Sequence, residues 1–203
     1  MIKYGNSSDT AVIILHEIYG INRHIEQVCK WFADYGFDSV APDLLTGREA
    51  FAYSQEKQAY DYFKDCIGFD NAFSQAEEFL AQVRPQYRHV FVLGYSIGAT
   101  VAWRCSGTGL CDAIIGLYGS RIRDYLFVQP KCPVLLLFPA REPSFSVDNL
   151  IFHVSKVAQV RVIALEGEHG FADPFSAKYN KLSTAQACSE IEHFITKCRH
   201  KDR

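Results

Sequence analysis

The feature that most constrains this chain is an alternation of two patterns. Short, nearly continuous apolar runs recur at 11–16 (AVIILH), 38–41 (DSVA), 89–95 (HVFVLGY), 113–118 (AIIGLY), 133–138 (PVLLLF) and 160–165 (VRVIAL). A strand with one wet face alternates apolar and polar residues; a run apolar throughout is covered on both faces. Between the runs lie helical patterns. The segment 23–35 places Ile25, Val28, Cys29, Phe32 and Ala33 at helical spacing, with Gly36 where a C-cap belongs. Further helices are expected at 55–66 and 69–83, separated by Gly68, and at 96–105, 146–158 and 183–197. Strand–helix alternation of this kind predicts an α/β fold: a mostly parallel sheet with helices on both faces. No repeat or Pro/Gly/Ser-rich linker divides the chain, so residues 1–203 are expected to form a single domain.

Composition narrows the function classes. With a formal net charge of −2, no basic stripe recommends nucleic acid as a partner. The longest apolar runs, 11–15 and 133–140, are too short to span a bilayer. The first ten residues, MIKYGNSSDT, lack the apolar core of a signal peptide. The seven cysteines are odd in number and form no CxxC, which suits reduced thiols better than a disulfide framework. A cytoplasmic protein, monomeric or homodimeric, is expected. No pattern calls for a cofactor or a metal.

In parallel sheets ligands bind at the carboxyl ends of the strands. The reactive side chains of this chain follow its strands. After the third run comes Gly94-Tyr95-Ser96-Ile97-Gly98, the Gly-x-Ser-x-Gly pattern of a nucleophile elbow. Such a turn is tight, so its flanking positions lack bulk, and the serine hydroxyl projects above the sheet. The N–H of Ile97, at the start of the next helix, is placed to stabilise an oxyanion. The competing reading is an ordinary glycine-rich turn; the strand before and the helix after favour the nucleophile.

A serine needs a base. His169 follows the last run in the sequence EGEHGF, and His16, after the first run, is the competitor. The order Ser, acid, His of α/β-hydrolase triads favours His169. The acid should then lie between Ser96 and His169 and after a strand. Glu142 fits best and Asp148 is the runner-up. Asp173 follows the histidine and could instead stabilise its loop. His16-Glu17 begins like an HExxH zinc motif, but the second histidine is replaced by Gly20 and the segment ends a strand rather than lying in a helix, so metal is not expected. The N–H of Ile18 in this loop is the candidate for a second oxyanion donor.

These residues together resemble the dienelactone hydrolase family of α/β-hydrolases, along nearly the whole chain. The matching pieces are HEIYGIN (16–22), GFDSVAPDLL (36–45), QAY (58–60), GYSIGA (94–99), GLYG (116–119) and EGEHGF (166–171). The resemblance implies a triad of Ser96, Glu142 and His169, oxyanion donors at Ile18 and Ile97, and an accessory role for Glu17 beside the nucleophile. It implies an α/β-hydrolase fold. Within that fold a minimal version is expected: no long insertion interrupts the strand order, so no large cap, and the first core strand comes early, so the outer strands of larger α/β-hydrolases are expected to be shortened or missing. The chain departs from the family in three places. The best-known members carry cysteine where this chain has Ser96. Their acid is usually aspartate where this chain has Glu142. The arginine that anchors an anionic dienelactone falls at Glu56.

The expected chemistry is hydrolysis of a small ester or lactone through an acyl-enzyme. Tyr19, Tyr60, Tyr95, Tyr118 and Phe171 are placed to line the mouth of the site, and 46–68 to form its wall. Two alternatives stay open: a non-catalytic binder of small acids or esters, and an acyltransferase to an acceptor other than water. A Glu142 unable to reach His169 would favour the binder.

Overall fold

The computed structural model describes residues 1–5, 7–143 and 145–200. These residues form one sheet of seven strands: β1 (Ile2–Tyr4), β2 (Thr10–Leu15), β3 (Asp38–Ala41), β4 (His89–Tyr95), β5 (Ala113–Leu117), β6 (Val134–Pro139) and β7 (Val160–Leu165). Their order is β1-β3-β2-β4-β5-β6-β7. β1 pairs antiparallel with β3, and every other pairing is parallel. Each apolar run becomes a strand, within one residue at either end. β1 carries no such run. It is three residues long and partly exposed, and only its pairing with β3 makes it a strand.

The helices are α1 (Arg23–Asp34), α2 (Glu56–Tyr62), α3 (Gly68–Val83), α4 (Ile97–Cys105), α5 (Val147–Val154) and α6 (Lys181–Arg199). A π-helical turn at Phe63–Ile67 extends α2, and the backbone breaks at Gly68 (φ 71°, ψ 164°) before α3. Asn22 caps α1, its side-chain oxygen accepting from the N–H of Ile25 at 3.1 Å. None of these helices is long and apolar enough to cross a membrane.

Period-two geometry splits each strand between two cores. Ala11, Ile13 and Leu15 of β2 join the core under α2, α3, α4 and α5; Val12 and Ile14 join the core under α1 and α6. Residues of β2 to β6 are buried throughout, as continuous apolar runs require. β7 departs from that rule. It is an edge strand, and Leu165 is its one fully buried residue.

The strand ends lie level. Leu15 sits opposite Gly94, Tyr95 opposite Leu117, Leu117 opposite Leu137, and Pro139 opposite Leu165. The loops that leave β2, β4, β5, β6 and β7 therefore emerge along one edge. β2 lies between β3 and β4, so the strand order reverses beside it. A crevice at such a reversal is where open α/β sheets bind ligands. This is a minimal α/β-hydrolase architecture, without a large cap over the sheet edge.

Candidate active site

Ser96 sits in that crevice on a strained backbone. It is one of few non-glycine residues at positive φ (φ 52°, ψ −112°), a conformation that costs about 1–3 kcal/mol and clusters at functional sites. The surrounding structure holds it there. Its N–H donates to the carbonyl of Leu117 at 3.0 Å, and its carbonyl accepts from Thr100 at 3.2 Å. The flanking glycines are a steric requirement. A Cβ on Gly94 would lie 2.2 Å from the carbonyl oxygen of Gly98, and one on Gly98 would lie 2.2 Å from that of Leu15. Two bare backbones thus let α4 start directly against the ends of β4 and β2.

Ser96 Oγ lies 2.8 Å from Nε2 of His169. Nδ1 of the same ring lies 2.5 Å from Oε1 of Glu142. A carboxylate accepts, so Nδ1 carries the proton and Nε2 presents its lone pair to the serine hydroxyl. The Glu142 side chain is 4% exposed and that of His169 31%. They stand 27 positions apart in the chain. The pairing of β6 with β7 continues past the strands and brings them together: Ala140 N–H donates to Leu165 O at 2.7 Å, and Arg141 N–H to Gly167 O at 3.2 Å. Asp148, the runner-up acid, lies exposed on α5 and makes no bond to His169. Glu142 does reach the histidine, so the observation that would favour a non-catalytic binder is not met.

His16, the competing histidine, is fully engaged elsewhere. Its Nδ1 lies 2.7 Å from Glu17 O and its Nε2 accepts from Leu44 N–H at 2.9 Å. Burial holds its pKa below the ordinary value. It is a neutral strut between the β2 and β3 loops, with neither nitrogen left for a metal.

A cavity of about 200 Å³ opens beside Ser96 and His169. Glu17, Ile18 and Tyr19 wall it from the loop after β2, and Tyr53 and Glu56 from the segment that enters α2. Asp173, Ser176 and Lys178 close it from the loop after β7. The 46–68 excursion thus supplies one wall. A larger depression, about 700 Å³, lies at the amino ends of β6 and β7, lined by Pro133, Arg161 and His193 among others. The hydrogen-bonded Ser96–His169 pair, rather than size, identifies the smaller cavity as the candidate site.

Four of the aromatic residues expected at the mouth lie elsewhere. Tyr60 is 47% exposed on the outer face of α2, whose inner face is Ala59, and does not reach the cavity. Tyr95 points into the core under α1, edge-on to His24. Phe171 is buried against Tyr118. Tyr118 is completely buried below the site: its hydroxyl donates to Oε1 of Glu17 at 2.9 Å, and its ring lies 5.0 Å from that of His169. Strand-end aromatics fall inward here because the strand pleat directs them into the core. Tyr19 does line the cavity, with its ring 4.8 Å from that of Tyr53.

Ile18 lines the cavity, and Ile97 opens α4, where its N–H lacks an intrahelical acceptor. Glu17 is 6% exposed. Burial, and after it the charge of Asp173, raises its pKa from 4.5 to about 7. Asp173 does stabilise the histidine loop, accepting from Phe175 N–H at 2.8 Å. It also accepts from the Tyr53 hydroxyl at 2.5 Å, tying that loop to the 46–68 wall. Tyr53 had no signal in the sequence: it lies in a 3₁₀ turn, Tyr53–Gln55, without a periodic pattern.

The comparisons agree with this architecture. The dienelactone hydrolase family profile matches residues 3–198. The chain is 38% identical over 186 residues to protein YczH of Bacillus subtilis, covering 90% of each. It is 25% identical over 206 residues to a carboxymethylenebutenolidase of Pseudomonas putida, covering 94% of this chain and 86% of the relative. Among solved structures, a dienelactone hydrolase-like promiscuous phosphotriesterase from metagenomic libraries superposes with a TM-score of 0.74 at 19% identity, over 93% of this chain and 86% of that one. The profile match, the relatives and the shared fold together place the chain in the dienelactone hydrolase family, and so, at family level, among the ester and lactone hydrolases.

Proposed function

We propose that the chain is a serine hydrolase that cleaves a small ester or lactone through an acyl–Ser96 intermediate. The observation that carries this reading is the hydrogen-bonded relay from Ser96 to His169 to Glu142, at 2.8 and 2.5 Å, mounted on a backbone at φ 52°.

In the first half-reaction His169 Nε2 takes the Ser96 proton as Oγ bonds to the substrate carbonyl carbon. The carbonyl electron pair moves onto oxygen, where the N–H groups of Ile18 and Ile97 stabilise it. Loss of one such donor costs about 2.7–4 kcal/mol of transition-state stabilisation. Glu142 holds the imidazole tautomer and balances the imidazolium charge. As the carbonyl re-forms, the alkoxide leaves with the proton from His169. Water, deprotonated by His169, then attacks the acyl–serine; the acid departs and Ser96 recovers its proton.

The cavity of about 200 Å³ suits a small acyl group. Water is the acceptor in this reading, and acyl transfer to a thiol or amine is the outcome that product analysis would show instead. Labelling with a fluorophosphonate followed by intact mass tests the nucleophile. One adduct on the native protein and none on Ser96→Ala, with p-nitrophenyl acetate hydrolysis lost in the same variant, is the expected result. Undiminished esterase activity in Ser96→Ala would overturn it.

A further inference from the structure

The cavity beside Ser96 is walled by three carboxyl groups, Glu17, Glu56 and Asp173, brought from three separate segments, against one lysine, Lys178. Glu56 and Lys178 are exposed at the rim, whereas Glu17 and Asp173 are 6% and 1% exposed. Among the described residues neither buried carboxyl pairs with a lysine or arginine. The basic group nearest to Asp173 is Nδ1 of His24, at 3.9 Å, and burial pushes the pKa of that histidine down, toward the neutral form.

Buried carboxylates are costly unless paired and hydrogen-bonded. Asp173 has Tyr53 and the N–H of Phe175 as donors. Glu17 has one donor, the Tyr118 hydroxyl on Oε1; Oε2 accepts no hydrogen bond from the described residues. The cavity therefore holds an acceptor-rich wall in which one carboxyl oxygen, Glu17 Oε2, has no donor among the described residues. The same wall carries the rings of Tyr19 and Tyr53, 4.8 Å apart. Aromatic faces attract cations through the ring quadrupole. The negative potential acts on these tyrosines themselves. Burial raises the Tyr19 hydroxyl pKa, and the charges of Glu56, Glu17 and Asp173 raise it further. For Tyr53, burial is followed by the hydrogen bond and the charge of Asp173.

We propose that this pocket selects esters whose pocket-seated part carries an ammonium group, and discriminates against carboxylate-bearing esters. An ammonium would donate to Glu17 Oε2, favouring its ionised form, lie against the tyrosine rings and offset the charges of Asp173 and Glu56. A carboxylate would meet the like charges of Asp173 and Glu56 and would favour the protonated Glu17 beside them. This inference rests on the hydrolase reading above and names its substrate class.

Three methyl esters of nearly one shape provide the test, assayed at pH 6.5. They are alanine methyl ester (ammonium), methyl isobutyrate (methyl in its place) and monomethyl methylmalonate (carboxylate in its place). Because an ammonium also activates an ester electronically, the readout is the ratio of kcat/KM values in the native protein relative to Glu56→Lys. The native ammonium-to-carboxylate ratio should exceed that of Glu56→Lys by about tenfold, the effect of some 1.4 kcal/mol. Glu17→Gln should also lower it, and Glu56→Lys covers the case in which that buried change impairs folding. A second readout needs no turnover. Isopropylammonium chloride should raise the melting temperature of Ser96→Ala, and sodium isobutyrate should not. Ser96-dependent hydrolysis with ratios unchanged in Glu56→Lys would overturn the inference and leave the hydrolase reading standing. No hydrolysis of any ester, with the isopropylammonium shift retained, would overturn the hydrolase reading and keep the ammonium site.

Discussion

The hydroxyl of Tyr118 donates to Oε1 of Glu17 at 2.9 Å, joining the loop after β5 to the loop after β2 across 101 positions of chain. Both residues are buried, and the pair lies beside the imidazole of His169. Folding thus commits a carboxyl group to a desolvated place in the wall shared with Ser96 and His169.

That burial sets a pH dependence of stability. Folded Glu17 keeps its proton up to about pH 7, whereas its ordinary value is 4.5. Between these values the folded state binds more protons than the unfolded state, so stability falls as pH rises through the window. The shift corresponds to about 3 kcal/mol. Glu17→Gln removes the ionisation. Urea unfolding from pH 4.5 to 8 should show the native protein losing stability relative to Glu17→Gln by an amount of that order. Parallel pH profiles for the two proteins would contradict the assignment.

Ser96→Gly should separate stability from function. Glycine adopts positive φ without the steric cost a Cβ imposes. Relief of the strain at φ 52° should stabilise the fold by about 1 kcal/mol while esterase activity disappears. Differential scanning calorimetry beside an ester assay checks both halves; a lower melting temperature would argue that the elbow is unstrained.

Gly98→Ala should be severe for the opposite reason. The new methyl would meet the Leu15 carbonyl oxygen at 2.2 Å and that of His16 at 2.7 Å, and these are backbone atoms that cannot rotate out of the way. Overpacking of this kind costs about 1–3 kcal/mol or more. The melting temperature should fall, and activity in the surviving folded fraction should fall with it as Ser96 is displaced. Native-like stability in Gly98→Ala would mean α4 can slide off β2.

Glu142→Gln should leave the fold intact and lower kcat by about 10²–10⁴-fold, the range of acid–base contributions. The amide can donate as well as accept, so the imidazole loses its fixed tautomer and its counter-charge. KM should change little, because Glu142 does not wall the substrate cavity. A loss confined to KM would reassign Glu142 to binding.

Tyr53→Phe removes the donor to Asp173 and the acceptor for Asn22 Nδ2, which approaches at 3.2 Å. A hydrogen bond to a charged group contributes about 1.5–3 kcal/mol. The 46–68 wall should loosen against the histidine loop, which faster amide exchange in residues 46–56 would report. A KM effect larger than the kcat effect is expected, since Tyr53 touches the cavity but not the Ser96–His169–Glu142 relay.

The sequence alone settled the layered α/β architecture and the residues that line up along one sheet edge. Each strand whose apolar run continued through both faces was legible, because burial on two sides leaves a pattern no local neighbour can imitate. The elbow was legible because its pentapeptide carries its own steric requirement: Gly94 must clear the backbone of Gly98 and Ala99, while Gly98 must clear the neighbouring end of β2. Ser96, Glu142 and His169 could be named from their positions after strands, since parallel topology sends those positions to one edge.

Only the tertiary structure decided which side chains face the cavity. Tyr60, Tyr95, Tyr118 and Phe171 stood near the right places in the chain and turned away, three into the core and one into solvent. Tyr53 and Asp173, 120 positions apart, met across the site with no pattern in the sequence to announce it. β1 became a strand through pairing alone. Periodicity reports whether a residue is buried, and it is silent about which buried or half-buried groups share a wall. That depends on strand register, loop path and the pleat, which arise only when distant segments pack. The acidic, tyrosine-lined pocket is a product of that packing, whereas the elbow that faces it was written in five consecutive residues.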